Sequence, residues 1–151
     1  MHNLNFPEFK FNIKTTKRGH EIFDIVRKKY ILLTEEEWVR QHCIHYLINF
    51  KNYPLTLLSV EKSLIVNGMN RRTDIVVYGK NDTLPKLIVE CKAPHIELNN
   101  NVFDQIAQYN LPLKVEYLLV TNGINHYMCK INFDNLSFNF LDEIPDYFKI
   151  I

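Results

Sequence analysis

The chain has 151 residues, of which 46% are hydrophobic and 23% carry charge, and its formal net charge is +1. This composition is typical of a globular protein with its own core, and it counts against a disordered chain, a membrane-spanning helix and strong DNA binding through a general basic excess. The chain starts without the apolar segment of a signal peptide, and its three cysteines lack metal-ligand spacing. We therefore expect a reduced, cytoplasmic protein.

The first part of the chain is predicted to contain short strands. Apolar and polar side chains alternate over residues 9–14, a pattern typical of a half-buried strand. A polar turn at 15–20 and apolar runs at 22–26 and 30–33 predict that the chain folds back on itself. We expect residues 1–33 to form a β-hairpin extension that covers one side of the core.

A helix is predicted to follow Thr34 and to run to about Asn49. Thr34 can cap its first turn, and Glu37 at the third helical position can complete a capping box. Apolar residues at helical spacing form its predicted core face: Val39, Cys43, Tyr46, Leu47 and Phe50. Glu36 leads this face by one turn. We therefore expect Glu36 to point inward and Glu35 to face solvent.

A hairpin is predicted in the middle of the chain. A long strand over 55–66 is followed by the turn residues Asn67 and Gly68. Residues 75–78 and 87–91 are then apolar runs separated by a polar loop, which predicts an antiparallel pair.

That pairing would bring three charged side chains together at one end of the hairpin. Glu90 and Lys92 share a face of their strand, and Asp74 falls beside them on the neighbouring strand. Two adjacent carboxylates repel each other unless a cation lies between them, and their oxygens suit Mg²⁺ or Mn²⁺ better than zinc. A nearby lysine can orient a water molecule or offset negative charge on a phosphate in the transition state. These are the parts needed for metal-assisted phosphodiester hydrolysis.

The last part of the chain predicts a helix over about 102–109, a strand over 115–121 and a closing hairpin over 126–140. The run at 115–121 has too few polar residues for an edge strand, so we expect it to be central and buried on both faces. Because a helix precedes it, it should lie parallel to the strand at 87–91. The predicted fold class is α/β, with a mixed central β-sheet flanked by helices.

Five segments in this order resemble the PD-(D/E)xK nuclease superfamily, and in particular the N-terminal nuclease domain of type I restriction enzyme R subunits. They are LTEEEWVRQH at 33–42, RRTDIVVYGK at 71–80, LIVECKAP at 87–94, FDQIAQYN at 103–110 and LLVTNGINHY at 118–127. Thr73 stands where the superfamily has a proline that shapes the backbone more than the chemistry. The resemblance implies a restriction-endonuclease-like fold in one domain over 1–151, with the nuclease core at 34–147.

The resemblance also implies roles for individual residues in a divalent-metal-dependent DNA nuclease. Asp74, Glu90 and the backbone carbonyl of Cys91 would hold Mg²⁺ or Mn²⁺, and Lys92 would position the attacking water. The supporting residues would be Glu36, Gln105 and Tyr109. The implied partner is DNA, within either a homodimer or a larger restriction/helicase complex, and no membrane is involved.

Several alternatives remain open from the sequence. Arg71 and Arg72 either contact phosphate or pair with nearby acids, and Glu61 is either an extra metal ligand or part of a salt bridge. The first alternative function is a non-catalytic nucleic-acid-binding module with the same fold. The second is a scaffold domain whose polar hairpin is only a cluster of salt bridges.

Overall fold

The computed structural model describes residues 2–66 and 68–151, so Asn67 of the predicted turn lies outside the described residues. Two α-helices are found there, α1 at Glu35–Lys51 and α2 at Asn100–Asn110. The strands β1 to β9 span, in order, Ile13–Thr16, Gly19–Asp24, Lys29–Leu32, Leu58–Val66, Met69–Tyr78, Pro85–Cys91, Tyr117–Thr121, His126–Asn132 and Ser137–Leu141.

The strands form two sheets. β1, β2 and β3 make a small antiparallel sheet, so the predicted N-terminal extension has three strands. β4 to β9 make a six-stranded mixed sheet in sequence order, in which β6 and β7 pair in parallel and the other neighbours are antiparallel. The hairpin of β5 and β6 and the crossover through α2 were both predicted, and both are confirmed.

The large sheet is covered on both faces. All five residues of β7 are buried, as expected for a central strand. On one face Leu87, Val89 and Cys91 pack with apolar residues of α1. On the other face Ile88 packs with residues of α2, including Phe103. Successive side chains of β6 therefore point alternately into the apolar layer under α1 and the apolar layer under α2. Near the end of the strand, Glu90 interrupts the layer under α2.

Three local expectations differ from the structure. β1 begins only at Ile13, because Phe9 and Phe11 leave the strand and pack their rings against histidines of α1. Leu55–Leu57 is a 3₁₀ turn, so β4 starts at Leu58. Phe50 was predicted to belong to the core face of α1, but it is 52% exposed at the end of that helix. Over the described residues, neither helix has the length and apolar character needed to cross a membrane.

Candidate active site

The pairing of β5 with β6 brings Asp74 and Glu90 together at the end of β6. Ile75 pairs with Val89, and the next step of this register places Asp74 opposite Glu90. Asp74 is half-buried, and Glu90 is only 9% exposed. Oδ2 of Asp74 accepts a hydrogen bond from the backbone N–H of Cys91 at 2.7 Å, which ties this carboxylate to the neighbouring strand.

The surroundings of Glu90 disfavour a bare negative charge. Burial, followed by the adjacent carboxylate of Asp74, raises the pKa of Glu90 to about 8. The side chain of Asn110 donates from Nδ2 to Oε1 of Glu90 at 3.3 Å and, with the charge of Lys92, opposes this rise. Without a further cation, the carboxyl of Glu90 therefore retains much of its proton at neutral pH.

Lys92 lies directly after β6 and is half-buried. Its backbone N–H donates to the carbonyl of Thr121 at 2.8 Å, which extends the parallel pairing with β7 by one bond. The positive charge of Lys92 acts to lower the pKa of both Glu90 and Glu36, so its ammonium lies near both carboxyls. Lys92 therefore lies near Glu90, one of the two acids with which the sequence grouped it, and near Glu36.

The start of α1 directs one glutamate towards the site and another towards solvent. Glu36 is half-buried, and burial, followed by the charge of Asp74, raises its pKa, whereas Glu35 is exposed. The hydroxyl of Thr34 accepts a hydrogen bond from the backbone N–H of Glu37 at 3.1 Å. The predicted capping box is nevertheless wrong, because the buried carboxylate of Glu37 bonds to arginine side chains and not to the backbone of Thr34.

Arg40 is the first of two residues of this site that the sequence interpretation missed. It is 4% exposed, and its Nη2 donates to Oε1 of Glu36 at 3.1 Å and to Oδ1 of Asp74 at 2.9 Å, while Nη1 pairs with Glu37. Burial acts to lower the pKa of Arg40, but the charges of Asp74 and Glu37 outweigh it and raise that pKa. A signal was present, because an arginine next to Val39 on a buried helix face requires carboxylate partners.

A second set of carboxylates, here called the paired cluster, adjoins the site: Asp24, Glu37 and Glu61, all bound by Arg27. Nε of Arg27 donates to Asp24 at 2.6 Å, Nη2 donates to Glu37 at 2.7 Å, and Nη1 donates to Glu61 at 2.6 Å. Arg27 is itself close to buried, with its side chain 11% exposed. Each of the three nitrogens of this guanidinium therefore donates to a different carboxylate.

Glu61 belongs to the paired cluster although it lies opposite Asp74 across β4 and β5. The pairs Val60 with Ile75 and Lys62 with Thr73 define this register. Glu61 adopts a left-handed backbone conformation, with φ of 50°, which interrupts the regular strand.

The charge of Glu61 is balanced by arginines. Its carboxylate is bound by Arg27 and Arg72. Burial acts to raise the pKa of Glu61, but the hydrogen bond from Arg72 and the charge of Arg27 lower it overall. The salt-bridge role is thus the one observed for both Glu61 and Arg72.

Helix α2 reaches the site through a residue other than the two expected. Gln105 is exposed, and the ring of Tyr109 lies under the guanidinium of Arg71, with Cζ 4.3 Å from the ring centroid. Asn110 is the α2 residue that contacts Glu90. Its position at the end of the helix hid this role, because a terminal asparagine usually indicates only a helix end.

The side chains present fit a single hard cation held by few protein ligands. Over the described residues, no group of three or more His, Cys, Asp or Glu side chains is placed to hold a metal ion. Mg²⁺, however, commonly binds through one or two carboxylates and keeps several waters, which is the donor set that Asp74 and Glu90 offer. The thiol of Cys91 lies in the core against Cys43, so only its backbone carbonyl could contribute.

Known proteins share this sequence pattern and this fold. A family model described as "Type I restriction enzyme R protein N terminus (HSDR_N)" matches residues 35–145. Among solved structures, the fragment structure of a putative HsdR subunit of a type I restriction enzyme from Vibrio vulnificus YJ016 is similar, with a TM-score of 0.54 and 16% identity. The match covers 78% of this chain and 24% of that chain, and at this identity it establishes the fold alone. No curated protein matches the chain.

Proposed function

We propose that this chain, which belongs to the family of type I restriction enzyme R protein N termini, is a divalent-metal-dependent deoxyribonuclease of the PD-(D/E)xK superfamily. The observation that carries the proposal is the meeting of Asp74 and Glu90 at the end of β6, with Lys92 close enough to Glu90 for its charge to act on that carboxyl. The family's link to restriction enzymes supports DNA as the substrate.

In the proposed site some residues would bind the metal ion, and Lys92 would act on the attacking water and the phosphate. Asp74, Glu90 and the carbonyl of Cys91 would hold Mg²⁺ or Mn²⁺. When bound, the metal would supply Lewis acidity towards a phosphodiester and a water of lowered pKa. Lys92 would hold the attacking water in place and offset the negative charge that develops on the phosphate. Asn110 would keep the carboxyl of Glu90 in position through its amide.

The remaining candidate residues would act around this centre. Glu36, which shares Arg40 with Asp74, would adjust the charge beside the metal. Tyr109 would hold Arg71 next to the site, where the guanidinium could meet a DNA phosphate, and Arg72 is 67% exposed on the same strand. Gln105 would support the substrate from the exposed side of α2. The chain would act on DNA in the cytoplasm, as a homodimer or within a larger restriction/helicase complex.

The direct test is cleavage of supercoiled plasmid and linear DNA with Mg²⁺, with Mn²⁺ and with EDTA. We expect metal-dependent cleavage by the wild type and none by Asp74→Ala. Asp82→Ala is the matched control, because Asp82 lies in the loop at the opposite end of the same hairpin, where it pairs with Lys86. Cleavage by Asp74→Ala at the wild-type rate would contradict the proposed site.

One observation favours a second candidate, a non-catalytic nucleic-acid-binding module. Both oxygens of Asp74 already accept hydrogen bonds, from Arg40 and from the backbone of Cys91, so this carboxylate has partners without any metal. A binding module would retain DNA with equal affinity in EDTA and in Mn²⁺ and would leave the DNA intact in both. A nuclease would cut in Mn²⁺.

A further inference from the structure

We propose that the guanidinium of Arg40 fills the place of a second cation, so that this site takes one divalent ion and not two. The inference rests on the proposed function, because it concerns how many metal ions the same site holds. Its basis is that one atom, Nη2 of Arg40, donates both to Oε1 of Glu36 at 3.1 Å and to Oδ1 of Asp74 at 2.9 Å. That atom lies between the carboxylates of Glu36 and Asp74, which would otherwise be available to a second metal ion.

Arg40 is held in this position by Glu37 and the partners of Glu37. Its Nη1 pairs with Glu37, and both side chains are 5% exposed. Glu37 in turn accepts hydrogen bonds from Arg27 at 2.7 Å and from Gln41 at 2.8 Å. Arg40 could leave Asp74 only by breaking a buried ion pair that belongs to the paired cluster, which is costly because it would strand a buried charge.

The two oxygens of Asp74 have different partners: Oδ1 accepts from the charged guanidinium of Arg40, and Oδ2 accepts from the backbone N–H of Cys91. Two-metal sites place their ions about 3.5–4 Å apart and share a carboxylate between them. Here Oδ1 of Asp74 faces Arg40, whereas Glu90 approaches Asp74 from the neighbouring strand. An arginine side chain always keeps its charge, so a metal ion between Glu36 and Asp74 would face a permanent positive charge. The pair of carboxylates without an arginine between its members is therefore Asp74 with Glu90.

Arg40 thus acts as a positioning residue. It orients the Asp74 carboxylate towards Glu90 and neutralises part of the charge that Glu36 and Asp74 would otherwise present to each other. Glu36 is bound to the internal cation, so it should contribute little to the affinity for the metal ion itself.

The number of bound ions tests this inference directly. Calorimetric titration with Mn²⁺, checked by electron paramagnetic resonance of the free ion, should give one ion per wild-type chain. Glu36→Gln should still bind one ion, with an affinity within about threefold of the wild type. Arg40→Gln should bind a second, weaker ion between the released carboxylates. Arg40→Lys keeps a cation there and should stay at one.

Arg27→Gln is the matched control, because it removes the other guanidinium that binds Glu37 but touches neither Glu36 nor Asp74. It should bind one ion. Two ions in the wild type would overturn the inference, as would a loss of affinity above tenfold in Glu36→Gln or a single ion in a folded Arg40→Gln. The first two results need no Arg40 variant, so they decide the question even if Arg40→Gln does not fold. Binding of no ion by the wild type would contradict the proposed function instead.

Discussion

The paired cluster and the site carboxylates adjoin each other in the fold and contain the same residue types, yet their charges are balanced differently. In the paired cluster Arg27 binds three carboxylates and Arg72 adds a further positive charge at Glu61. In the site, over the described part of the chain, Asp74 is bonded to one cation, Arg40, which it shares with two glutamates, and Glu90 is bonded to none.

The pKa shifts record this difference. Arginines lower the pKa of Glu61 overall despite its partial burial, whereas burial and Asp74 raise the pKa of Glu90 to about 8. Acids that have enough arginines stabilise the folded chain. Acids that are buried together without them hold a proton instead, and a bound cation would take the place of that proton.

The largest expected effect concerns Lys92, whose ammonium forms no salt bridge with an acid among the residues that the structure describes. Lys92→Ala should lower the rate of DNA cleavage by about 10²–10³, because one electrostatic group at the transition state is worth about that much. Metal binding should persist, since an ammonium cannot be a metal ligand. Cleavage rates and Mn²⁺ affinity of the same preparation measure both effects. Lys86→Ala on the same strand is the control, and a wild-type rate in Lys92→Ala would show that this lysine is only a counter-ion.

A substitution in the paired cluster should lower the stability of the fold and leave the affinity for the metal ion unchanged. Arg27→Met should lower the free energy of unfolding by about 3–5 kcal/mol, because it leaves the buried carboxylates of Asp24 and Glu37 without their shared cation. Urea denaturation in EDTA measures this loss. The affinity for Mn²⁺ should stay within a few-fold of the wild type. A loss of unfolding free energy below about 1 kcal/mol, or a large fall in the affinity for Mn²⁺, would contradict the separate roles of the paired cluster and the site carboxylates.

The contributions of Glu90 and Glu61 to the pH dependence of stability should have opposite signs, because the pKa of Glu90 is raised and that of Glu61 is lowered. The folded pKa of Glu90 lies near 8, above its ordinary value of 4.5, so between these pH values the folded state holds a proton that the unfolded state has lost. Metal-free wild type should therefore lose up to about 1.4 kcal/mol per pH unit from this group as the pH rises through that window.

Matched variants isolate the two contributions. Glu90→Gln should remove this loss of stability at rising pH. Glu61 has a lowered pKa, so it contributes stability above pH 4.5 that disappears as the pH falls through its folded pKa. Glu61→Gln should therefore weaken the protein at neutral pH and leave the slope between pH 7 and 8 unchanged. Urea unfolding at a series of pH values measures both, and a slope that survives in Glu90→Gln would contradict the assignment.

The sequence predicted what depends on local patterns. Turn residues between two apolar runs predicted the pairing of β5 with β6, and the helix before the run at 115–121 predicted its parallel pairing with β6. Helical spacing in α1 predicted Glu36 towards the site and Glu35 towards solvent; Glu36 is half-buried and Glu35 exposed, while the buried glutamate of this turn is Glu37. These features follow from side-chain periodicity and connection rules, which a single sequence displays.

The contacts that distinguish the two sets of acids join distant parts of the chain. Arg27 meets Glu61 across 34 residues, and Arg40 meets Asp74 across 34 residues. No periodicity specifies which acid a given arginine will reach, because that depends on how the small sheet and α1 pack against β4 and β5. Asn110 was missed for a similar reason, since its contact with Glu90 depends on the rotation of α2 over the sheet.

The most direct test of a cation site between these two acids is the effect of Mn²⁺ on thermal unfolding. Wild-type protein should show a saturable rise in Tm relative to EDTA, of about 5–10 °C at a concentration a hundredfold above Kd, because the ion binds only the folded state. Asp74→Asn should lose this rise, and Asp82→Asn should keep it. A wild-type Tm that does not respond to Mn²⁺, or an equal response in Asp74→Asn, would contradict a cation site between Asp74 and Glu90.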